Sequence, residues 1–361
     1  MEHSQLNHTH KKLLTEQLIA PGEAGHTIEG LQLRQMDWDT LKVHGMDFNQ
    51  TAFQANRFYQ LDWKESTVMQ SVFYQCHWHE GRWDNISFIA CRFINCRISG
   101  ALLKLVNFTQ CEFENCVFDG VQIENVSLVM NDKVALNLVD CRGEVMIFTD
   151  NKDTALSMER CALSKVVFTK FDFKQLEFKE TALTHLVVLE SQAVGYDFSK
   201  MALPYCQFTG SDLREANFAH SDVSQGGFMN CQLERANFTG ANVKMTLFVK
   251  SKAQMANFSG AYAELANFSE ADCQGANFDG ANLLMAQMQH GQLQQASFRG
   301  SSMHFTDFSY ADISQADFRE GEFMRSRHHA IRDHETHYGA KYGILPSDAT
   351  QLKADQWLKK R

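Results

Sequence analysis

The chain of 361 residues holds only three prolines, Pro21, Pro204 and Pro346. No apolar run approaches the ~20 residues that a membrane-spanning helix needs. The first residues, MEHSQLNHTHKKLLTEQLIA, lack the apolar stretch of a signal peptide. There is no basic excess either: 34 Lys and Arg stand against 43 Asp and Glu, a net charge of −9. There is no glycine-rich phosphate loop and no G-x-S-x-G elbow. These absences argue in turn against a membrane span, a cleaved leader, a general nucleic-acid binder and the commoner catalytic motifs. The expectation is a cytoplasmic protein with no cofactor and no direct contact with nucleic acid.

What is present is a period of five. Stepping from Ile28 to Phe323, the positions read Ile28, Leu33, Trp38, Val43, Phe48, Phe53 and onward, and only Lys133, Gly143 and Asp153 are neither apolar nor alanine. Of 28 phenylalanines, 26 fall in this class, as do four of the five tryptophans. Two residues earlier lies a second class, small in the C-terminal half (Ala216, Ser221, Gly226, Ala236) and larger in the N-terminal half (Met36, Leu41, Leu61, Ile86). Asn or Asp often precedes the central residue, as at Asn217, Asn237, Asn257, Asn267, Asn277, Asp307 and Asp317, and Gly often follows two after it. Both are turn formers. A helix repeats at 3.6 and a strand at 2, so five fits neither. It fits a chain that turns a corner every five residues and points two residues inward per side. Four sides close a coil of 20, and coils stack at about 4.8 Å. Residues ten apart then face each other across the core. Fifteen coils would make a rod roughly 70 Å long.

Segments such as ANFTG (236–240), ANFSG (256–260), ANFDG (276–280) and ADFRE (316–320) resemble the pentapeptide-repeat family, whose motif is A(D/N)LXX with a central Leu or Phe. The resemblance implies an all-β fold, a right-handed quadrilateral β-helix, here with short helical caps at both ends. It covers 26–325, flanked by a capping segment at 1–25 and a basic helical tail at 326–361.

The stretch 131–195 is the least regular. Lys133 and Asp153 are 20 apart and belong on one wall in neighbouring coils. They either form a buried ion pair or sit on a bulge that reaches solvent; the cost of burying a lysine favours the bulge. The same stretch places Val129, Met130, Val134, Val139, Val145, Ile147, Val167 and Val187 outward, with Ile147, Val167 and Val187 in one vertical stripe. They read either as strand formers on a turn-poor wall or as a partner-binding patch.

At the N-terminus, residues 9–20 read as a short helix stopped by Pro21-Gly22. At the other end, Met324, His328 and Ile331 have helical spacing, and a second helix starts after Pro346 with Ser347 or Asp348 as its cap. The tail carries Arg325, Arg327, Lys359 and Lys360; it reads first as a cap on the rod, and otherwise as a surface for docking an acidic partner or forming a homodimer. Nine of ten cysteines fall in the small inward class and Cys273 in the central class, so all ten should be buried, reduced thiols rather than a zinc site. His328, His329, His334 and His337 lack metal-binding helical spacing and read as a solvated helix.

A filled core with flat walls opposes catalysis, since enzymes need a concave site. The reading is a non-enzymatic scaffold or adaptor for a protein partner. Some pentapeptide-repeat proteins resembling this one are accessory proteins of bacterial type VI secretion. The alternative is a DNA mimic that protects gyrase or another topoisomerase, as some acidic members do. Residues 197–323 carry 14 acidic and 8 basic side chains, a weak excess for that role.

Overall fold

The computed structural model describes residues 8–19 and 26–358. Two compact units divide the chain, Met1–Leu183 and Thr184–Arg361. Each is a right-handed all-β solenoid; the turns number about 16, with two short helices.

In the first unit the strands pair in parallel with residues 20 further on, as the four-sided coil requires, apart from one bulge described below. One sheet runs through Asp62–Met69, Arg82–Ile89, Leu102–Thr109, Gln122–Val129, Arg142–Thr149 and Ala162–Thr169. These eight-residue strands continue through a corner, where Glu65, Asn85 and Leu105 take φ of 51°, 57° and 53°. From about 192 to 316 the strands shrink to single bridges such as Asn217↔Asn237, and the corners close as turns. Ala216 N donates to Leu213 O at 3.1 Å while Glu215 holds φ at 59°, the pattern of a type II turn. Each Asn or Asp singled out above accepts from the backbone N–H two residues on, from 3.1 Å at Asn217 to 2.9 Å at Asp307.

The core is made of aromatic columns. Phe198, Phe218, Phe238 and Phe258 stack at centroid spacings of 4.7, 4.8 and 4.9 Å. Rings ten apart meet edge to face, as Phe208 and Phe218 do at 5.6 Å. Each such pair adds about 0.5–1.5 kcal/mol beyond its buried area.

All ten cysteines are free and buried. They are more than space-fillers. Cys76, Cys96 and Cys116 donate from Sγ to the carbonyls of Phe53, Phe73 and Phe93, each at 3.3 Å. Asn56 and Thr181 reach the equivalent carbonyls, of Leu33 and Met158, at 2.7 and 2.8 Å. Polar members of the small inward class thus donate to the carbonyl 23 residues earlier. Burial pushes the Cys231 thiol up to about 12. A thiol-specific reagent should therefore label none of the ten in the folded protein and all ten in denaturant. Rapid labelling of even one before unfolding would contradict this burial.

The register slips once locally. Phe113 pairs with Val134 but Cys116 with Leu136, a one-residue bulge. Val134, expected outward, is fully buried and takes the inward place of Lys133. Lys133 and Asp153 are both exposed, Lys133 lying 3.5 Å from Glu114, so the bulge is the arrangement adopted. Buried Asn131 and Asn151 brace it. Asn131 Nδ2 donates to Asn151 Oδ1 at 2.8 Å, and Asn131 Oδ1 accepts from Cys111 N at 2.6 Å.

The helical reading of 324–345 is corrected. This segment continues the coil: Ser326–Arg327 pairs with Ile344–Leu345, and Asp317–Phe318 with His337–Tyr338. The reason is register. His328 occupies the inward place five after Phe323, is 4% exposed, and packs 5.1 Å from the Phe308 ring. His329 is buried as well, so these two histidines do not lie on a solvated helix.

The helices are His8–Ile19 and Ala349–Leu358. Pro21-Gly22 lies outside the described residues. Thr15 faces inward on the first helix, while Leu13 and Leu14 are exposed. Asp348 caps the second, accepting from Thr350 N at 2.8 Å and Gln351 N at 2.9 Å.

Candidate functional surfaces

The expected outward patch falls partly in each unit. In the first unit Val139, Val145, Ile147 and Val167 are half-buried, and Ile147 is in register with Val167. Val187 is half-buried in the second unit. Val145 sits at a corner with φ of 60°, a conformation that β-branched residues avoid at a cost of order 1–3 kcal/mol.

Val145 and Val139 each line a groove, on different walls, whereas Ile147 and Val167 line neither. A shallow groove of about 530 Å³ is lined by Lys104, Leu105, Glu124, Asn125, Glu144 and Val145, with Gly143 at its floor. A second groove of about 550 Å³ is lined by Asn137, Val139, Ser157, Glu159, Glu177 and Lys179. Both have mixed apolar and charged linings and open broadly to solvent. Among the described residues no cluster of three or more His, Cys, Asp or Glu could hold a metal ion. Among them also, no helix is long and apolar enough to cross a membrane.

The last helix is tied to its own coil, the capping arrangement among the tail's alternatives. Arg327 donates to Gln351 Oε1 at 2.6 Å and so ties the last helix to its own coil. Tyr310 OH and His329 Nε2 meet Asp355 Oδ2 at 2.8 and 3.2 Å, and His329 Nδ1 accepts from Asp348 N at 3.1 Å. That accepted bond leaves the neutral ring's proton on Nε2, facing the carboxylate. Arg325 is exposed and lines an apolar groove with Phe323, Met324, Tyr342, Ile344 and Leu345. Lys359 and Lys360 lie outside the described residues.

The acidic residues of the second unit are largely spent on neighbours. Arg214 reaches Asp212 at 2.6 Å, Arg319 reaches Asp317 at 2.6 Å, and Lys244 reaches Glu264 at 2.9 Å. The Arg319 guanidinium holds the Asp317 carboxyl down to about 2.

One surface escaped the five-residue reading. At one corner of the second unit Tyr205, Met245, Leu265, Met285 and Phe305 are exposed by 46, 45, 40, 46 and 37%. They are spaced by multiples of 20, so a scan at the coil period would have aligned them.

The family model for pentapeptide repeats matches eight copies in this chain, at residues 81–128, 197–225, 253–284 and 286–320. No curated protein matches it significantly. Among solved structures it is similar to QnrB1, a plasmid-mediated fluoroquinolone resistance protein, at 13% identity over 71% of this chain and 90% of that one, TM-score 0.25. It is also similar to HetL of the cyanobacterium Nostoc, involved in heterocyst differentiation regulation, at 12% identity over 93% and 96%, TM-score 0.17. A pentapeptide repeat protein of the Arabidopsis thaliana thylakoid lumen shares 25% identity over 32% of this chain and 67% of its own, TM-score 0.16. None of these superpositions is close, and the fold rests on the repeat itself.

Proposed function

We propose that this chain, whose repeats match the pentapeptide-repeat family model over parts of both units, is a non-enzymatic scaffold whose first unit holds a protein partner. The observation that carries this reading is the outward pair Ile147 and Val167 in register on one wall, with Val145 held at a strained corner beside a shallow groove of mixed lining. A regular coil gains nothing from a valine at a left-handed corner. A partner covering it would. Arg325 and the basic tail form a second candidate contact. The specific role we favour is that of an accessory protein in bacterial type VI secretion, supported by resemblance of the repeat to such members.

The test compares the wild-type chain with Ile147→Asp/Val167→Asp as bait in lysate of the source cell, with and without nuclease. The double variant should keep the wild-type circular dichroism spectrum and lose its partner by at least about tenfold. Recovery of secretion components by the wild type alone would support the role. Equal recovery by both baits would remove the patch. Recovery of gyrase subunits would turn the reading to DNA mimicry, which charge reversals on the acidic walls of the second unit would then have to abolish.

A further inference from the structure

We infer that the second unit pairs with a second copy of this chain, edge to edge and antiparallel, along the corner from Tyr205 to Phe305. The inference stands apart from the partner surface on the first unit.

The residue types at this corner are the first ground. Every corner residue has positive φ, which favours Gly or Asn. Another corner obeys this preference, with Gly240, Gly260, Gly280 and Gly300. This one instead carries Tyr205, Met245, Leu265, Met285 and Phe305, at φ between 56° and 61°. Bulky apolar groups are held there against local preference and left in water, so the fold draws no benefit from them. Leu247 and Tyr262, 39% and 61% exposed, flank the edge. Seven side chains offering roughly 100 Å² each approach the ~800 Å² per partner of a standard interface. At about 4.8 Å per coil the ridge is roughly 24 Å long, and an identical ridge has the same spacing.

Charge selects the arrangement. Lys244 and Glu264 lie beside the ridge in adjacent coils, 2.9 Å apart. A parallel two-fold pairing would set the Lys244 flank of each copy against the Leu247 flank of the other and leave both charges without a counterpart across the seam. An antiparallel axis level with Met245 or with Leu265 brings like charges together. An antiparallel axis midway between Met245 and Leu265 places each Lys244 on the other copy's Glu264. The same axis sets Met245 on Leu265, Gln225 on Met285 and Tyr205 on Phe305. Hydrophobic and charged positions are then both self-complementary, as a two-fold interface requires. The last helix is already engaged with Tyr310, His329 and Arg327 of its own chain, which points the second copy to the ridge rather than the tail.

Sedimentation equilibrium on the full chain tests this. The wild type should be a dimer at micromolar concentration. Leu265→Asp should weaken it by about a hundredfold or more with an unchanged circular dichroism spectrum. Glu264→Lys and Lys244→Glu should each weaken it, and their equimolar mixture should form a heterodimer. A monomeric wild type at 100 µM (about a hundred times a micromolar constant) would overturn the proposal. So would a dimer indifferent to Leu265→Asp, which would place the contact elsewhere. A dimer sensitive to Leu265→Asp but not to Glu264→Lys would overturn the antiparallel register.

Discussion

Gly143→Ala should destabilise the first unit by more than about 4 kcal/mol, the range in which a single substitution becomes diagnostic. A Cβ at this position would lie 1.9 Å from the carbonyl oxygen of Ile123 and 2.8 Å from its carbon and nitrogen. Those atoms are backbone, held in the parallel pairing of Gln122–Val129 with Arg142–Thr149, so no side chain can swing aside. The φ of 136° adds strain for any L-residue. Gly260 is the control. Its φ of 62° is also left-handed, but nothing lies within 4 Å of its would-be Cβ. Gly260→Ala should cost only about 1 kcal/mol. Denaturant melts followed by the fluorescence of Trp38, Trp63, Trp78 and Trp83, all in the first unit, would read the difference. Equal midpoints for the two variants would mean that the coil relaxes around the new methyl.

Much of this was legible because a solenoid makes each residue's environment depend on its place in a short period. The inward classes, the aromatic columns, the Asx turns and the ten buried thiols all follow from a stride of five, and each side chain occupies the place its number implies. Two kinds of feature were hidden. The bulge at Lys133 was recognisable as a defect, but choosing Val134 as its replacement requires knowing that the chain can add one residue and recover. The buried Asn131–Asn151 pair that pays for that recovery looks, in sequence, like two more turn residues. The tail misled for a related reason. His328 and Tyr338 continue the inward register after Phe323, yet histidine is rarely a core residue, and its spacing with Met324 and Ile331 imitates a helix. The apolar corner at Tyr205 to Phe305 was missed because its signal lies at a period of 20, on positions that a five-residue reading assigns to turns.

The second large effect is acid sensitivity of the last coils. In an unfolded chain a histidine titrates near ~6.5. In the fold, burial, aided by the positive charge of Lys341, pushes His328 down to about 4. Its Nε2 lies 3.1 Å from Ser326 Oγ, and its Nδ1 has no partner to welcome a proton. Protons therefore bind the unfolded state more readily. The stability owed to the neutral ring is complete above the unfolded value and is lost as pH falls from about 6.5 to about 4, a total of about 3 kcal/mol. Asp317 acts in a lower window: held at about 2, it contributes above the ordinary carboxylate range and is lost only as pH falls from there towards 2. Hydrogen exchange should thus show the amides of Arg327 and His328, bonded to Thr306 O at 2.8 Å and Leu345 O at 2.9 Å, losing protection between pH 6.5 and 4. The regular coils around Phe238 should not follow in that interval. His328→Phe should remove the dependence without opening the coil, because Phe308, Phe318 and Phe323 already surround the site with rings 5.1, 6.2 and 5.8 Å away. An unaltered pH profile in His328→Phe would assign the acid response to another group.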